Sequence, residues 1–205
     1  MKKFPDTIPV FPLSGVIFFP KTNLPLNIFE QRYLNLVNDA YENDKLMGMV
    51  QSKKDDNSVY DIGCMGKISD YQKSKDGRVL INLTGISRFK ILKEIKNEKP
   101  YREFQVDYKN FVEDGNNTLI QINAESLMEK TKTFFKRNGL LLNWREFEKL
   151  DNAQKINTLA MIAPITNEEK QKLLESISLE NKIKTLESII SFYLYETGLN
   201  NQTIQ

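Results

Sequence analysis

Three proline-punctuated pieces near the start decide the fold: Ile8-Pro9-Val10-Phe11-Pro12-Leu13, then Val16-Ile17-Phe18-Phe19-Pro20, then Leu24-Pro25-Leu26-Asn27-Ile28-Phe29-Glu30-Gln31-Arg32-Tyr33. Proline lacks a backbone donor, so it is confined to strand edges, first positions and bulges. Short apolar runs between prolines therefore read as three short, kinked strands, with Ser14-Gly15 as the turn after the first. Beyond Phe29 the period changes. Tyr33, Leu36, Val37, Ala40 and Tyr41 follow helical spacing, and Asn43-Asp44 ends that helix.

Strand signals return at Leu46–Gln51, and the polar stretch 52–58 reads as a surface loop. Segments 67–73 and 78–84 flank Lys75-Asp76-Gly77, where Asp-Gly favours a tight hairpin because glycine tolerates positive φ. Val79, Ile81 and Leu83 alternate with Leu80, Asn82 and Thr84. Phe89, Ile91 and Ile95 continue the pattern, and Phe104, Val106 and Tyr108 form a last alternating set. Composition shifts at Glu113-Asp114-Gly115-Asn116-Asn117, a polar linker. A long helix then carries Leu119, Ile122, Leu127, Met128, Thr131, Phe134 and Phe135 and closes at Asn138-Gly139. Asp151 with Gln154, and Thr166 with Glu169, make two capping boxes, with Pro164 stopping the helix between them. A final helix with Ile183, Leu186, Ile189, Ile190, Tyr193 and Leu194 on one stripe closes near Gly198. The expected architecture is α+β: a β-rich subdomain over 1–112 with one helix, then an α-helical bundle over 113–205.

Composition narrows the chemistry. The chain has 205 residues, no histidine and one cysteine, so imidazole-dependent catalysis, His-ligated metals, disulfides and thiolate clusters are excluded. No cofactor or metal is expected. Lys plus Arg is 29 against 27 Asp plus Glu, a net charge of +2, which argues against a protein built to hold nucleic acid. Apolar runs fall short of the ~20 residues that cross a bilayer, and Pro5, Asp6 and Pro9 interrupt any signal-like start, so no membrane is expected and the location reads as cytoplasmic.

Candidate sites are few. Gly63-Cys64-Met65-Gly66-Lys67 lacks the spacing of a phosphate loop and reads as a strand entrance needing small residues. Cys64 has only Lys67 as a cationic neighbour and reads as a small core residue. Glu30, Arg32, Asp70 and Arg88 are expected to form an ion network between the first helix and the sheet. The basic run from Arg88 to Arg102 cannot place its lysines on one face of a strand and reads as a solvated sheet edge. No residue is assigned a catalytic role.

In order along the chain, these segments closely resemble the LON domain, the N-terminal substrate-recognition domain of Lon-type ATP-dependent proteases, also found as a stand-alone bacterial protein and within cereblon. The opening block is carried by residues 8–13, 16–20 and 24–33. Gly63 to Tyr71, Asp76-Gly77-Arg78 and Gly85-Ile86-Ser87-Arg88-Phe89-Lys90-Ile91 resemble the second block, and Pro100-Tyr101-Arg102 the third. Leu159 to Pro164, Glu169-Lys170-Gln171 and Leu173-Leu174-Glu175 resemble the helical part. The resemblance implies a PUA-like twisted β-barrel followed by a helical bundle, together one LON-type unit. It also implies a non-catalytic module that binds unfolded or exposed apolar polypeptide segments in protein quality control. RNA binding, or docking on a separate protease or chaperone, are the alternatives. With the chain ending at Gln205, neither an ATPase nor a Ser-Lys protease module is expected. A cleft where the two parts meet is the expected site, with Phe18, Phe19, Tyr101 and Trp144 as candidate peptide-binding aromatics. Pro12, Pro20, Pro25, Phe29, Gly85 and Phe89 are expected to be structural, and truncating a core Phe29 would cost ~3–5 kcal/mol.

Overall fold

The computed structural model describes residues 4–53, 58–115 and 124–200. Two compact units divide the chain, residues 1–117 and 118–205. The first begins with strands β1 (Thr7–Leu13) and β2 (Asn23–Ile28) and helix α1 (Gln31–Glu42). Strands β3 (Leu46–Gln51), β4 (Ile62–Lys73), β5 (Val79–Ile95) and β6 (Arg102–Asp107) follow, then a kinked 3₁₀ segment, Lys109–Gly115. The strand order is β2-β5-β4-β3-β1-β6, and β6 also pairs with β5, so the sheet curls round until its pairing closes. One pair, β1 with β3, is parallel; the others are antiparallel.

The long strand β5 makes closure possible. Its first half pairs with β2 and its second half with β6 along one edge, while β4 covers the other edge. Where its partner changes, the Arg88 N–H finds no strand and donates instead to the Asp114 carboxylate at 2.9 Å. That carboxylate also accepts from Arg88 Nε and Nη2, each at 2.8 Å, and the guanidinium lies 4.4 Å from the Phe111 ring centroid. Both side chains are nearly buried, so each charge is compensated by the other. The expected network therefore has a different partner. Arg88 pairs with Asp114, whereas Glu30 and Arg32 pair with each other.

Inside the curl, Ile8, Val10, Val50, Val59, Met65, Phe89, Phe104 and Val106 form the core. Pleating sends alternate side chains inward, which is why even positions of β1 and β6 supply this set. The run 16–19 is not a strand, although Ile17, Phe18 and Phe19 are buried. Phe19 C=O accepts from the Thr22 hydroxyl at 2.6 Å and Lys21 takes φ 60°, so the chain turns there and meets β5 only from Lys21 onward, whose N–H donates to Gly85 C=O at 2.9 Å. Gly85 lies directly under this turn, and a Cβ on it would overlap the Phe19 carbonyl oxygen. Gly77 has φ 88° in the β4–β5 hairpin, as the Asp-Gly pair requires.

In the second unit, α2 (Glu125–Arg137) ends at Asn138, with Gly139 at φ 66°. A short helix α3 (Trp144–Phe147), capped by the Asn143 side chain on the Glu146 N–H, has no counterpart in the sequence reading. Helices α4 (Asn152–Ile162) and α5 (Asn167–Glu175) both carry the capping boxes read from the sequence. Helix α6 (Leu179–Asn200) runs two residues beyond the expected stop at Gly198. Helix α2 packs on α6, with Phe134 5.6 Å from Tyr193 and Glu187 accepting from Lys130 and Ser126 at 2.7 and 2.6 Å. The positions of Leu119 and Ile122, of Asn116 and Asn117, and of 54–57 in the expected loop lie outside the described residues.

Candidate functional site

A cleft of about 760 Å³ opens in the first unit. One wall is the end of β1 and its turn, Phe11 to Ser14. Another is the end of β2 and the entrance to α1, Leu26 to Glu30 with Arg32 and Tyr33. Ser52, Glu94 and residues Pro100 to Arg102 complete it. Phe11 and Tyr33 pack 4.1 Å apart between centroids and form the apolar floor. Both are buried, because α1 presents Tyr33, Leu36, Val37 and Ala40 as its packed face.

Phe29 is the exception on this surface. It is 67% exposed on the cleft wall, so the expectation that it anchors the core is wrong. The physical reason is the two-residue period of β2. Leu24 and Ile28 point inward, and Phe29 follows on the opposite parity with the exposed Asn23, Pro25 and Asn27. Covering the exposed part of that ring with another apolar group would be favourable.

The charges of the cleft are internally matched. Arg102 donates to both Glu94 oxygens, at 2.7 Å each, which holds the Glu94 carboxyl below the usual glutamate range and raises Arg102. Arg32 donates to Glu30 at 3.0 Å and stacks over Tyr33 at 4.4 Å. Burial pushes the Tyr101 phenol up to about 12, assisted by its 2.6 Å hydrogen bond to Asp39. Burial likewise raises Tyr33. Two guanidiniums face two carboxylates, so the cleft offers aromatic surface and polar edges without a net field. Among the described residues no group of three or more His, Cys, Asp or Glu is placed to hold a metal ion. No helix among them is long and apolar enough to cross a membrane.

The sequence candidates do not gather at one place. Tyr101 lines the cleft, although its ring is 5% exposed and its hydroxyl is committed to Asp39. Phe18 and Phe19, candidates for the binding surface, are buried. The Phe18 ring lies against Gly66, so close that a Cβ on that glycine would sit 2.7 Å from it. Trp144 belongs to the second unit, half-buried beside Phe147 and under Lys132. Sequence reasoning missed Phe29 as a surface residue and the Glu94–Arg102 pair. The first had a signal in the parity of β2, whereas the second is created only by β5–β6 pairing.

A curled sheet with an aromatic-floored, charge-balanced cleft, joined in sequence to a helical unit, defines an α+β architecture. The ATP-dependent protease La (LON) substrate-binding domain matches residues 7–191, and the chain belongs to that family. It is 26% identical to a Lon protease of Syntrophus aciditrophicus over 94% of this chain and 26% of that protein. It is 27% identical to one of Cytophaga hutchinsonii over 85% of this chain and 22% of that protein. The chain thus spans about a quarter of the length of these curated relatives. Two solved structures share the fold. One is a Lon N-terminal domain protein from Xanthomonas campestris, with TM-score 0.66, 19% identity and 90% and 97% of the two chains covered. The other is the N-terminal domain of Mycobacterium avium complex Lon protease, with TM-score 0.67, 16% identity and 90% and 98% covered.

Proposed function

We propose that this protein is a non-catalytic recognition module that binds exposed apolar segments of unfolded polypeptides in the cleft of its first unit. The exposed ring of Phe29 on the cleft wall carries the reading. An incoming apolar side chain covers that ring, and the Phe11–Tyr33 floor offers further aromatic surface. Because Glu30 is paired with Arg32 and Glu94 with Arg102, the cleft does not select strongly for ligand charge. Family membership supports a polypeptide as the ligand. The module contributes binding in cytoplasmic protein quality control, without ATPase or protease chemistry of its own.

The test is an anisotropy titration with a labelled, permanently unfolded polypeptide at low and high salt, with single-stranded RNA in parallel. Saturable polypeptide binding that changes little with salt, with the polypeptide recovered intact, is the expected result. Salt-steep RNA binding with no polypeptide binding would replace this reading with a nucleic-acid one.

A further inference from the structure

The sheet is unfinished at β2. Among the described residues this strand pairs with β5 alone, leaving its other edge without a strand partner. The direction of its backbone groups follows from one bond and the register. Gly85 N–H donates to Thr22 C=O at 2.9 Å, and Asn23 stands opposite Thr84. Bonded and non-bonded pairs alternate in an antiparallel ladder. Leu24, Leu26 and Ile28 therefore bond to β5, and Asn23, Pro25 and Asn27 turn their main-chain groups outward. Pro25 agrees with this phase, since a residue without an N–H is tolerated where its nitrogen faces away from the ladder.

The outward edge thus offers the N–H groups of Asn23 and Asn27 and the C=O groups of Asn23, Pro25 and Asn27, all on exposed residues. Outward positions recur every two residues, about 6.8 Å apart, a spacing that another extended backbone matches. The edge is continuous with the cleft, because Asn27 lines it together with Leu26, Ile28 and Phe29. A second copy of the same strand fits poorly. Two β2 edges paired about their centres would place Pro25 against Pro25, and neither could donate.

We propose that a polypeptide held by this protein is added to the sheet as a strand along the open edge of β2. Its main chain bonds to Asn23, Pro25 and Asn27, and the cleft around Phe29 receives side chains at one end. This rests on the polypeptide-binding reading and specifies its substrate class: extended segments with free backbone groups, whatever their sequence. Folded proteins have already paired those groups, so strand addition separates unfolded from folded chains without a sequence motif.

Backbone methylation tests it. A short labelled Val/Thr/Phe peptide is compared with two versions N-methylated at alternate amides, one set on each edge of the extended chain. One set is expected to lose about tenfold or more in affinity and the other to change less than about twofold, since only one edge faces β2. Pro25→Thr restores an outward donor and is expected to tighten the parent peptide by about fivefold, with circular dichroism confirming the fold. If both methylated sets bind like the parent while Phe29→Ala still weakens it, the cleft stands and strand addition falls. If the parent peptide does not bind, both readings fall together. If Pro25→Thr instead self-associates in sedimentation without gaining peptide affinity, the edge belongs to a second copy and the proposal is overturned.

Discussion

Truncating Phe29 to alanine separates a binding residue from a core residue by numbers that do not overlap. With 67% of the ring exposed, only about a third of a roughly 200 Å² phenylalanine surface is covered in the folded protein. At about 25 cal/mol per Å² that third is worth at most about 1.7 kcal/mol. The extended-chain reference overstates burial, which brings the expected stability loss near 1 kcal/mol. A buried phenylalanine would cost about 3–5 kcal/mol. The exposed two-thirds, about 130 Å², would contribute up to about 3 kcal/mol if a ligand covered it fully. Imperfect complementarity reduces that to about 1–3 kcal/mol, or roughly five- to one-hundred-and-fifty-fold in affinity. Urea melts of the purified variant give the first quantity, and anisotropy with a labelled unfolded polypeptide gives the second. A loss of stability above 3 kcal/mol would show the ring is packed. Unchanged affinity would remove Phe29 from the ligand surface and with it the main support for the cleft.

Three further outcomes follow from the first unit. Asp114→Ala leaves the Arg88 guanidinium buried without its carboxylate and is expected to cost about 3–5 kcal/mol in a chemical melt; a cost below 1 kcal/mol would mean the pair is solvated. Gly85→Ala drives a methyl group into the Phe19 carbonyl and is expected to cost about 1–3 kcal/mol; wild-type stability would show that the turn at residues 19–22 yields easily. Tyr101 has its folded pKa raised to about 12, above the ordinary value near 10, so its contribution is complete below pH ~10 and is lost as pH rises through about 12. A difference titration at the phenolate absorbance, wild type minus Tyr101→Phe, should show that late step, and a step at pH ~10 would place the phenol in water.

Much of the fold was legible because local rules and tertiary structure agree. Proline-bounded apolar runs marked β1 and β2, alternation marked β5 and β6, and the Asp151/Gln154 and Thr166/Glu169 boxes marked the starts of α4 and α5. The misreadings share a cause. The run Val16 to Phe19 is apolar and proline-bounded like its neighbours, but periodicity cannot distinguish a strand from an irregular buried segment, and Lys21 at φ 60° is invisible to it. The partner of Arg88 lies 26 residues away on the 3₁₀ segment, so it is fixed by how β5 curls rather than by any spacing. The cleft was harder still. Only aromatic character singles out Phe18 and Phe19 in the sequence, whereas exposure at Phe29 follows from parity along β2, and Glu94 meets Arg102 only once β5 and β6 are paired.

The register of β1 sets an order of events in time. A ribosome releases this strand first, yet Ile8 pairs with Phe104 on one side and Val10 with Gly48 on the other. The nearer partner emerges about 40 residues later and the farther one about 95 later, so ring closure waits for nearly the whole first unit and its loop entropy favours slow folding. Throughout that interval Ile8, Val10 and Phe11 are apolar and unpaired. Pro9 and Pro12 sit among them and deny any stray strand a continuous row of donors. The prolines of the finished strand thus also guard it during synthesis, when it is most open to mispairing.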